Sequence, residues 1–154
     1  MRAASGHLQA AVLQQFGPTR CSRYLGGSPR SVDLGVTFLL APFGGVTDPG
    51  VREVWSKASR GMRRPAGGLA PGGSWRRDGI SWTPTTATVA LAAACTDPEQ
   101  ARQWLTWIAD HRTSAGSVPE KVLADGQPAS AAPLAWSAAA VVIAVDELER
   151  GCAG

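Results

Sequence analysis

The run Ala138-Ala139-Ala140-Val141-Val142-Ile143-Ala144-Val145 constrains this chain more than any other feature. It lies within a stretch of helical spacing from about Pro133 to Arg150, which Gly151 ends. A helix that is apolar on all sides has no face to offer water, so other elements have to enclose it. The run is also far too short to cross a hydrocarbon layer of ~30 Å at ~1.5 Å per residue. The enclosing partners are therefore expected to be further helices of a soluble fold with no membrane contact.

Those partners announce themselves by their starts. Asp48-Pro49 and Asp97-Pro98 each join a side chain that accepts an orphan N–H to a proline pre-set for the first helical turn. Val51, Val54, Trp55 and Ala58 follow the first pair at helical spacing, and EQARQWLTWIADH follows the second. Thr83-Pro84 opens TTATVALAAA in the same manner. Nearer the N-terminus, Leu8, Ala11, Val12 and Phe16 form one stripe. Ser31 is expected to cap a helix through Val36, Phe38 and Leu40 that Pro42 stops. No alternating strand pattern competes. The expectation is one all-α domain over residues 1–154 with about six helices.

Loop lengths then order these helices. Residues 17–30, 61–82 and 113–132 are long connections, and 42–47 and 95–97 are short ones. If successive helices run antiparallel, the long loops gather at one end. Loops of that length in a compact domain are usually functional. This face is expected to carry Trp75, Asp78, Trp82, Glu120, Asp125 and Trp136. Trp faces suit the apolar faces of pyranose rings, and the chain holds six Trp against one Tyr. Carboxylates can serve the acid–base chemistry of glycosidic bonds. Glu120, after Pro119 at the mouth of the buried helix, is the leading candidate.

Other chemistries have little material. With two His and no ligand-spaced Cys pair, zinc sites and Ser-His or Cys-His nucleophiles are poorly supplied, so neither metal nor cofactor is expected. Cys21, Cys95 and Cys152 are odd in number, which argues against a closed disulfide framework. With no apolar leader in the first sixteen residues, the expected location is the cytoplasm. Arg60, Arg63, Arg64, Arg76 and Arg77 form a basic cluster that could meet phosphates. The net charge is only +3, however, so a solvated surface and no nucleic-acid partner is the expectation.

The stretch GSVPEKVLADGQPASAAPLAWSAA resembles the base-bearing segment of glycoside hydrolase family 15, the glucoamylase and glucodextranase family. Glu120, Gly126, Ser130, Leu134, Trp136 and Ser137 occupy that family's pattern. RRPAGGLAPGGSWRRDGISWTPTTATVALAAA resembles its substrate loop, and SVDLGVTFLLAPFGG the segment before it. The similarity runs from about Ser31 to Leu148. It implies an (α/α)6 toroid, a six-hairpin glycosidase, of which this chain would be the C-terminal half. It further implies hydrolysis of α-glucans or related oligosaccharides with inversion. Glu120 would then be the general base, Ser130 would hold the base or its water, and Trp136 would support the pocket floor. Trp82 would stack on the substrate, while Arg77 and Asp78 would bind hydroxyls.

Two departures matter. The family's general acid, a Glu in a Trp-Glu segment upstream, has no counterpart, and Glu53 in REVWSK has the wrong neighbours. About half of the toroid's helices are present. The isolated chain is therefore expected to lack turnover, and its open half-ring to self-associate. The alternative is a non-catalytic helical module that binds sugar or a partner without cleavage.

Overall fold

The computed structural model describes residues 2–16, 21, 24 and 33–152. Five α-helices run in order: α1 (Arg2–Phe16), α2 (Pro49–Met62), α3 (Thr83–Thr96), α4 (Pro98–Asp110) and α5 (Ala135–Arg150). A 3-10 helix, Leu34–Leu39, precedes α2. The fold is all-α in character, as expected. A small sheet is added to it, with β1 (Ser81–Trp82), β2 (Lys121–Val122) and β3 (Pro128–Ala129) in antiparallel order β1-β2-β3.

Two of the helix starts form as their chemistry requires. Asp48 accepts the Gly50 N–H at 2.7 Å, and Asp97 accepts that of Gln100 at 3.1 Å. The third differs. Trp82 stands at the N-cap of α3 without a side-chain bond, and Thr83 becomes the first helical residue. The helix expected from Ser31 is instead short and 3-10, capped by Asp33, whose carboxylate accepts the Gly35 N–H at 2.8 Å. Ser31 lies outside the described residues, as does most of the 17–30 loop.

The centre of the fold is α3, not α5. Every residue from Thr83 to Ala94 is buried. Its threonines read as polar in sequence, but Thr86 and Thr88 return their hydroxyls to the carbonyls of Trp82 and Pro84 within the helix. Their methyl groups are left to face the neighbours. Helices α4 and α5 pack on α3, as does the 3-10 helix. The amphipathic α2 contributes Val51, Trp55, Ala58 and Met62 to the core, and α4 contributes Ala101, Trp104 and Ile108. Against expectation, α5 is covered on one side only, through Ser137, Ala140 and Ala144. The neighbours that would cover its other side are not among the described elements.

Helices α3 and α5 run side by side in the same direction. Thr83 and Ser137 meet at their N-terminal ends, and Cys95 and Cys152 are disulfide-bonded at the opposite ends, with Cα atoms 5.3 Å apart. That bond corrects the expectation drawn from the odd cysteine count. Chain folding brings together residues 57 positions apart, which spacing alone does not reveal. Cys21 keeps its thiol, which burial and then the Asp48 charge push up from the ordinary range.

Closing a loop of that length removes much unfolded-state entropy. Replacing both Cys95 and Cys152 by serine should cost about 2–4 kcal/mol. Urea unfolding of the oxidised parent and the double variant checks this. An unchanged midpoint would mean that the covalent tie adds nothing to helix packing.

Candidate active site

Residues 61–82 and 113–132 meet through the small sheet. Ser81 pairs with Val122 and Trp82 with Lys121 across β1 and β2. Lys121 and Val122 then pair with Ala129 and Pro128. In a pleated pair, opposite residues share a face, so Lys121 lies against the Trp82 indole, its Nζ 4.5 Å from the ring centroid. Trp75 meets the same indole edge-on at 6.1 Å. The first loop is tied down by Trp82 N–H to the Leu69 carbonyl at 2.7 Å and by Trp107 Nε1–H to the Ala66 carbonyl at 2.7 Å. Glycine is required at position 68, because a Cβ there would come within 2.4 Å of the Trp107 ring.

Glu120 is gripped by its backbone from both sides. Its N–H donates to the Ala131 carbonyl at 2.8 Å, and its carbonyl accepts the Thr83 N–H at 3.0 Å. The Thr83 hydroxyl donates to the Pro119 carbonyl, so its single proton is used. Ser137, 2.8 Å away and fully buried, is therefore the donor to Thr83. Two inner helices thus set the position of the loop that bears the carboxylate.

The Glu120 side chain is half-buried. Its Oε2 accepts the Ser130 hydroxyl and lies 3.8 Å from Lys121 Nζ. Ser130 adopts a left-handed backbone, φ +68°, which a non-glycine residue adopts at a cost of about 1–2 kcal/mol. That conformation lets its hydroxyl reach back ten residues to the carboxylate. The indole N–H groups of Trp75 and Trp82 are buried and have no hydrogen-bond partner among the described residues.

Of the residues expected at the site, the structure brings Trp82, Glu120 and Ser130 into one cluster. Arg77 is exposed and lines a separate cavity of about 380 Å³ with Arg64, Pro65, Gly73 and Gly79. Asp78 accepts the Ile80 N–H at 3.1 Å and Asp125 that of Gln127 at 3.0 Å, which makes both of them turn residues. Trp136 opens α5 and is 60% exposed rather than enclosed. No role at the site was expected of Lys121, Thr83 or Ser137; Thr83 entered only as a helix start and Ser137 only as part of the family pattern. Lys121 next to Glu120 carried a signal of charge proximity, but the Thr83–Ser137 pair joins residues too distant in sequence to predict.

No family model matches the chain, and no curated protein matches it. Solved structures do. A wild-type glycosidase superimposes with a TM-score of 0.74 at 23% identity, over 96% of this chain and 44% of that one. A glutamate-to-alanine variant named as a glycosidase in complex with glucose matches over the same shares at 22% identity. The chain therefore has a glycosidase fold and spans less than half the length of the glycosidases it resembles.

Removing the Thr83 hydroxyl with valine leaves the Ser137 donor and the Pro119 carbonyl facing an apolar group. The expected cost is about 1–3 kcal/mol, read by thermal unfolding. Ser137→Ala removes a donor but leaves the Pro119 bond intact, and should cost less. If both variants cost the same, the proton assignment made above is wrong.

Proposed function

We propose that the chain is the base-bearing part of a glucoamylase-type, inverting glycoside hydrolase that acts on α-glucan oligosaccharides. The observation that carries this is the Glu120 cluster: a carboxylate held by Ser130 and Lys121, beside an indole able to stack on a sugar. Glu120 is the general base that takes a proton from water as the water attacks the anomeric carbon. Ser130 orients the carboxylate, and Trp82 supports the sugar ring. The neighbour in complex with glucose supports a sugar as the ligand.

Inverting hydrolysis also needs an acid for the leaving oxygen, with the two carboxyl groups ~6.5–9.5 Å apart. Among the described residues, the cluster holds a single carboxylate. A lone copy of the chain therefore binds sugar without turning it over, since each acid–base group contributes ~10²–10⁴-fold. Arg77 and Asp78, on the adjoining loop, contact the outer hydroxyls of a longer oligosaccharide. A non-catalytic sugar-binding module is the second reading, and the same single carboxylate favours it.

Titration with maltotriose, followed by tryptophan fluorescence, separates the roles. Trp82→Ala should weaken binding at least tenfold, whereas Glu120→Gln should change it little, because a base acts on water rather than on sugar affinity. Absence of any maltotriose binding by the unaltered chain would sink both readings.

A further inference from the structure

Helices α3 and α5 end side by side, and three side chains able to hold a metal meet there. Cys95 lies in the last turn of α3, Glu147 in the last turn of α5, and Cys152 just beyond α5. One ligand atom from each, the two Sγ atoms and a carboxylate oxygen, lies within 4.8 Å of the other two. All three residues are half-buried. The chain leaves α5 through Gly151 at φ +68°, and that left-handed turn returns Cys152 toward Glu147.

The electrostatics of this end call for a cation. Parallel helices bring two negative dipole ends together, and a carboxylate in the last turn of a helix is opposed by that field. Asp146 has Arg150 as its partner, at 2.7 Å. Glu147, one residue on, has no ion pair among the described residues. What its carboxylate does face is the pair of sulfur atoms, joined in the disulfide. A disulfide has no proton to donate to it.

We propose that reduction of the Cys95–Cys152 bond converts this end of the helix pair into a zinc site, with Cys95, Cys152 and Glu147 as ligands and water at the fourth position. A dithiol supplies two electrons and two protons: the S–S bond breaks, two thiols form, and the dithiol is left as its own disulfide. Zinc then displaces the two thiol protons to solvent as the Zn–S bonds form. Tetrahedral zinc, with sulfur at ~2.3 Å and carboxylate oxygen at ~2.0–2.2 Å, needs ligand atoms ~3.6–3.8 Å apart. The cysteine Cα atoms, 5.3 Å apart, leave room for side-chain rotation to part the sulfurs that far. Thiolates select zinc over magnesium and calcium. The metal joins the same two helices as the disulfide it replaces.

Cobalt and zinc titrations of the chain carrying Cys21→Ser test this, with the other cysteines either oxidised or reduced by a dithiol and desalted without air. That substitution leaves Cys95 and Cys152 as the sole source of thiols. The expected result is one cobalt per reduced chain, with sulfur-to-cobalt charge-transfer absorption, and none for the oxidised chain. Zinc should displace the cobalt and raise the thermal midpoint of the reduced chain alone. Glu147→Gln keeps both sulfurs and should weaken zinc binding about tenfold or more, since even the partners of ligands contribute ~10–100-fold. No cobalt spectrum after reduction, equal affinity in Glu147→Gln, or the same midpoint with and without zinc would each overturn the proposal. If reduction itself lowers the helical circular dichroism, zinc should restore it, and a chain that stays unfolded with zinc overturns the proposal too.

Discussion

The parallel contact between α3 and α5 is the constraint on which the rest depends. At one end a buried hydroxyl pair, Thr83 and Ser137, fixes the helices side by side. At the other, Cys95 and Cys152 are covalently joined. Between them lie small residues, Ala87 and Ala140 among those buried, which let the two helices approach closely. Parallel neighbours need a return element, and α4 provides it on the outside. The long segment from α4 to α5 must then cross the N-terminal ends of both inner helices. This is why the loop that carries Glu120 lies where it does.

The site inherits its stability from that contact. Thr83 is simultaneously the first residue of a buried helix and the anchor for the carbonyls of Pro119 and Glu120. A carboxylate on an unsupported loop would lose much of its effect, because orientation contributes a large share of catalytic power. Here the backbone of Glu120 is bonded on both sides, and the strain at Ser130 is offset by the packed scaffold around it. Lys121 completes the arrangement. It shares a sheet face with Trp82 and so brings a cation to the carboxylate without occupying a helix position.

Much of the fold was legible in the sequence because its signals are local. Asp48-Pro49 and Asp97-Pro98 mark helix starts whatever surrounds them, and the stripes of α2 and α4 follow from spacing alone. What escaped was non-local. The two-residue strands are too short to show alternation. Cys95 meets Cys152 only once α3 and α5 lie parallel. Thr83 read as an ordinary cap, but its hydroxyl is drawn to a carbonyl 36 residues away. Glu120 and Ser130 stood out through an ordered motif. Lys121 did not, since a charge beside a candidate base gains meaning only from the strand register.

The enclosure expected of α5 did not form and the full burial of α3 was not foreseen, and one cause explains both. Apolar composition measures what a helix requires, not what a given stretch of chain supplies. The threonines of α3 satisfy their hydroxyls within the helix, so a sequence with polar letters is buried on every side. The valines and isoleucine of α5 demand cover, yet this chain covers only the face that carries Ser137, Ala140 and Ala144. Full burial of the stripe of Val142, Ile143 and Trp136 would contribute roughly 1.5–3 kcal/mol per large side chain. These side chains are 47–67% exposed, so about half of that remains unrealised.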